Sequence, residues 1–79
     1  MNDAPRKLLA TLLVVGAQSL AKAMTTQDLA KHFGVETADI EPYVEALARR
    51  GYVISVLRQD TKVFYLSNTG ILAASSVYS

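Results

Sequence analysis

The chain has 79 residues, 51% of them hydrophobic, a formal net charge of +1 and no cysteine. That length holds one domain at most, taken as a single unit over residues 1–79, and the apolar share is too high for a disordered tail. Disulfides, thiolate metal sites and cysteine nucleophiles are excluded, the composition fits a reducing, cytoplasmic setting, and so small a charge gives no overall pull towards nucleic acid.

At the N-terminus Arg6-Lys7 precede an apolar run over residues 8–17. This has the outline of a secretory signal, but its cleavage region would be Leu20-Ala21-Lys22-Ala23, where a lysine fits poorly. A membrane span needs about 20 apolar residues, more than the run supplies. It reads as a core helix, and no membrane partner is expected.

Helix one is predicted over residues 5–23, with Pro5 in its first turn. Leu8, Leu9, Leu12, Leu13, Gly16 and Leu20 recur at helical spacing, and Val14, Val15 and Ala17 widen that face almost to a collar. A helix apolar nearly all round is covered on more than one side, here by a C-terminal helix or by a second subunit. Helix two starts at Thr25-Thr26-Gln27-Asp28, with a capping threonine and an acid in the first turn. Leu29, Ala30 and Phe33 form its buried stripe, Gly34 ends it in a left-handed conformation, and Val35 turns inward. Helix three buries Ile40, Val44, Leu47 and Ala48 and closes at Gly51 after Arg49-Arg50. Pro42 is comfortable only in a first turn, so either Asp39 is the N-cap or the first turn is distorted.

The period then shortens. Residues 52–58 and 62–67 are rich in β-branched and aromatic residues and flank Gln59-Asp60-Thr61, which predicts a β-hairpin. Ser67-Asn68-Thr69-Gly70 offers a cap for a short last helix around Ile71, Leu72, Ala73 and Ala74, and the Ser-rich end at residues 75–79 is expected to fray. The fold class is mainly α with a small β-hairpin: a three-helix bundle, a wing and a short C-terminal helix.

Three stretches in register resemble the winged-helix (winged helix-turn-helix) DNA-binding family, particularly its MarR-, PadR- and ArsR-type regulators. Thr26-Gln27-Asp28-Leu29-Ala30-Lys31-His32-Phe33-Gly34-Val35 is similar to the family's helix-turn segment. Ile40, Val44, Leu47 and Gly51-Tyr52-Val53 match the apolar register of the recognition helix and its exit into the wing. Phe64-Tyr65-Leu66-Ser67-Asn68-Thr69-Gly70 resembles the strand that leads out of the wing. The resemblance implies a small transcriptional regulator that binds double-stranded DNA as a dimer. Helix three would enter the major groove, and helix two's N-terminus and the wing would touch the backbone. Carried over by position, the groove face is Glu36, Thr37, Ala38, Asp39, Glu41, Pro42, Tyr43 and Glu45, and the DNA contacts of such a regulator would be Thr26, Gln27, Thr37, Tyr43, Arg58 and Lys62. The homodimer would form through helix one and the C-terminal segment.

The reading helix departs from the family pattern. Residues 36–50 carry four carboxylates, Glu36, Asp39, Glu41 and Glu45, against two arginines, Arg49 and Arg50. Phosphate contact dominates DNA affinity, and an acidic face opposes it. The basic residues Arg6, Lys7, Lys22, Lys31, Arg58 and Lys62 lie elsewhere. A second reading follows: an interaction module whose third helix, with Glu41, Tyr43 and Glu45 at the centre, meets a protein instead. Tyr43 is placed on the exposed side of that helix and serves either reading. The single histidine, His32, has no partner for a metal and is expected in solvent, and no Ser/His/Asp set is arranged as a triad. No metal, cofactor or enzymatic activity is expected.

Overall fold

The computed structural model describes residues 4–76. It comprises helix α1 (Ala4–Val14), a 3-10 turn (Leu20–Lys22), strand β1 (Met24–Thr25), helices α2 (Thr26–Phe33) and α3 (Thr37–Arg49), strands β2 (Val53–Arg58) and β3 (Thr61–Leu66), and helix α4 (Asn68–Ser76). The strands form one antiparallel sheet in the order β1-β3-β2. This is the predicted winged helix, with a third strand that the sequence pattern did not reveal. Residues 77–79, the end of the serine-rich tail, lie outside the described residues.

Helix one is shorter than its apolar run. It stops at Val14, and Gly16 adopts φ +79°. The Ala17 N–H donates to the Leu12 carbonyl at 2.9 Å and the Gly16 N–H to the Leu13 carbonyl at 3.1 Å, the paired bonds of a Schellman stop. The expected collar therefore breaks up. Leu8, Leu9 and Leu12 are buried on α1, Ala17 is buried in the following loop, and Val14 is 72% exposed. The second cover for α1 is α4, which packs along it within the same chain.

Helix α2 begins as expected. The Asp28 N–H donates to Thr25 Oγ1 at 3.0 Å and the Thr25 N–H to Asp28 Oδ2 at 3.4 Å, a reciprocal capping box. Gly34 closes the helix in the left-handed region, but Val35 does not turn inward and is 46% exposed. Helix α3 starts at Thr37 with Glu36 at its N-cap, so Asp39 lies inside the first turn. Pro42 sits one turn further in, and α3 runs on through it. Lacking an N–H, Pro42 leaves the Ala38 carbonyl without its usual helical donor.

The hairpin turn is tighter than predicted. It has two residues, Gln59 and Asp60, at φ +50° and +64°, and Thr61 already belongs to β3. Two successive positive φ values match the right-handed strand twist, which is why such turns close hairpins. Phe64 and Leu66 from β3 join Leu8, Leu12, Leu29, Ile40, Val44 and Leu47 in one core. Each such side chain contributes about 1.5–3 kcal/mol on full burial.

The last helix is longer than predicted and contains Gly70 in its first turn, at a point of close approach. A Cβ there would lie 1.8 Å from the Tyr52 carbonyl oxygen. Gly70→Ala should therefore cost about 3 kcal/mol by urea unfolding, since backbone must move to relieve the overlap. Gly34→Ala, in open space but at φ +66°, should cost only about 1–2 kcal/mol.

Candidate nucleic-acid interface

The outer stripe of α3 runs through Ala38, Glu41, Glu45 and Arg49, spaced three or four residues apart and all exposed. Thr37, at the start of the helix, is half-buried. The acidic character read from the sequence thus lies on the surface that a winged helix turns outward.

Tyr43 does not stand on the exposed side of α3, where the sequence places it: it is half-buried and packs against the hydrophobic core. Its ring lines a groove between α1, α2 and α3 together with Lys7, Phe33 and Val35. The cause is helical register: Tyr43 is adjacent to the buried Val44 and three residues after the buried Ile40.

At the start of α2, Gln27 is exposed and Thr26 half-buried. The capping box brings the Asp28 carboxylate to this helix end, the one offered to phosphate on sequence grounds.

The wing separates its two cations. In the β2–β3 register Leu57 pairs with Lys62 and Arg58 with Thr61. Adjacent cross-strand pairs point to opposite faces, so Arg58 and Lys62 leave the hairpin on opposite sides. Arg58 donates from its guanidinium to the Leu20 carbonyl in the 3-10 turn. Lys62 faces α3, and its Nζ lies 3.4 Å from Glu45 Oε1, with both side chains about half exposed (52% and 50%). A residue offered as a DNA contact and one offered as a protein contact are therefore each other's partners. Leu57, beside Lys62 on that face, is 70% exposed. Period-two counting places it with the buried Val53, but it stands past the edge of the core, a fact about reach that alternation does not encode.

His32 is exposed, as expected, and no helix among the described residues is long and apolar enough to cross a membrane.

No protein-family model matches the chain, and no curated protein matches it significantly. Solved structures do match its fold. A MepR–DNA complex from Staphylococcus aureus superposes at a TM-score of 0.82 with 16% identity, over 99% of this chain and 62% of that one. The adhesin competence repressor AdcR of Streptococcus pyogenes gives 0.76 and 16%, over 96% of this chain and 54% of that one. ZitR of Lactococcus lactis gives 0.77 and 11%, over 99% and 51%. The chain thus spans between half and two thirds of the length of these proteins. At such identities the likeness establishes the fold.

A half-exposed ion pair is weakened by water and side-chain entropy. A double-mutant cycle of Glu45→Gln and Lys62→Gln, read by thermal or urea unfolding, should give a coupling of about 0.2–1 kcal/mol in low salt that shrinks at high ionic strength.

Proposed function

We propose that this chain is the DNA-binding winged helix of a small transcriptional regulator. The observation that carries the reading is the match of nearly the whole chain, wing included, to a protein solved on DNA. AdcR, described as a repressor, supports the same reading. The 79 residues act as a single domain, in the cytoplasm, on double-stranded DNA. Thr26 and Gln27 at the start of α2, Thr37 at the start of α3, and Arg58 and Lys62 on the wing are the proposed contacts. Tyr43, half-buried on α3, is the sixth proposed contact. With the α3 stripe acidic, backbone contact through the wing and the start of α2 supplies the affinity. The protein-interaction reading, centred on Glu41, Tyr43 and Glu45, draws on the same acidic helix but gains no support from the solved neighbours. A homodimer through α1 and α4 is proposed on the exposure of Val14 and Leu72, 72% and 73%, on those two helices. A strict monomer by sedimentation at high concentration would rule it out.

Duplex DNA should be retarded by micromolar protein at roughly 50 mM salt and released as salt rises. Arg58→Gln should weaken binding and reduce the slope of log affinity against log salt by about 0.9, the share of one phosphate contact. A folded protein that leaves the duplex unshifted at that salt would defeat the reading.

A further inference from the structure

The contact between Glu45 and Lys62 joins the two elements that a winged helix presents together to a duplex, its third helix and its wing. We propose that Glu45 is a brake on sequence-independent DNA binding, holding the wing's α3-side cation, Lys62, away from phosphate. The proposal rests on the DNA-binding reading above.

A lysine adds to non-specific affinity by neutralising a phosphate and releasing its counterion. Lys62 is already neutralised by a carboxylate 3.4 Å away. If phosphate draws it off, Glu45 is left uncompensated on the outer stripe of α3, close to the incoming backbone. In both cases Lys62 gains less than an unpaired lysine would. The half exposure of the two side chains leaves the pair open to competition and keeps it weak. No wing cation takes over on this face, because Arg58 leaves the opposite side of the hairpin and is bound to the Leu20 carbonyl. Glu41, one turn before Glu45 on the same stripe, makes no ion pair among the described residues. It therefore supplies a control with the same charge but no hold on a cation. A brake of this kind lowers the affinity common to all sequences, and so increases the weight of whatever base contacts the protein makes.

The test compares the wild type, Glu45→Gln, Glu41→Gln and the double variant Glu45→Gln/Lys62→Gln, each checked for folding by circular dichroism. Binding to a mixed-sequence duplex is followed by fluorescence anisotropy between roughly 50 and 200 mM salt. Both single variants remove one negative charge, so general repulsion cancels between them. Glu45→Gln is expected to bind about two- to fivefold more tightly than Glu41→Gln at the lowest salt. Its salt slope should be steeper by about 0.9, and the double variant should lose that added slope. Equal affinities and slopes for the two single variants, with the wild type still binding, would overturn the brake and leave the DNA-binding reading standing. A gain that persists without Lys62 would do the same. Failure of all four folded proteins to bind at the lowest salt would overturn the DNA-binding reading, and the brake with it.

Discussion

The architecture depends on a junction where four elements meet around the Tyr52 carbonyl. The Ser67 N–H donates to it at 3.1 Å, and the Ser67 hydroxyl lies within reach of it and of the Gly51 carbonyl, at 3.1 and 2.5 Å. The same hydroxyl accepts the Gly70 N–H at 3.0 Å, starting α4 in the manner of an N-cap. Gly70 packs so closely on Tyr52 that no side chain fits between them. One short segment thereby fixes the exit of α3, the beginning of β2, the end of β3 and the start of α4. The wing's orientation to α3 follows from this junction, because both strands of the hairpin are held at the end remote from its turn.

That orientation sets the electrostatics. With the base of the hairpin fixed, strand alternation sends Lys62 towards α3 and Arg58 towards the 3-10 turn. Lys62 meets Glu45 and Arg58 meets a backbone carbonyl. The two cations close together in the wing sequence make two separate single-charge contacts, one of them neutralised. The acidic helix is then less at odds with the fold than its composition suggests, because its central carboxylate is compensated from the wing.

Much of this was legible along the chain. The capping threonine, the glycine stops after α2 and α3, the α3 core positions Ile40, Val44 and Leu47, and the hairpin all carry strong local signals: a side-chain cap, a left-handed residue, a clean period. The failures have physical causes. Gly16 passes for one more small residue in an apolar stripe, since a glycine inside a run and a glycine ending one look alike until the chain turns. Strand β1 has two residues and is defined by its partners on β3, Phe64 and Val63, so it has no periodicity of its own. Tyr43 lies at the boundary between buried and exposed faces, where a large ring settles against whatever neighbour is near.

By itself, then, the amino-acid sequence determined α2, α3, the hairpin and a last helix, most of the core residues, and the winged-helix order, because caps, stops and hydrophobic periods act between residues close along the chain. It also determined that the outward face of α3 is acidic. Only the tertiary structure decided where α1 ends in space, that α4 covers it, and that Lys62 and Glu45, 17 residues apart, share a charge contact while Arg58 is turned away. The charge contacts depend on how the hairpin is anchored at Tyr52, and no local pattern encodes a distance between elements.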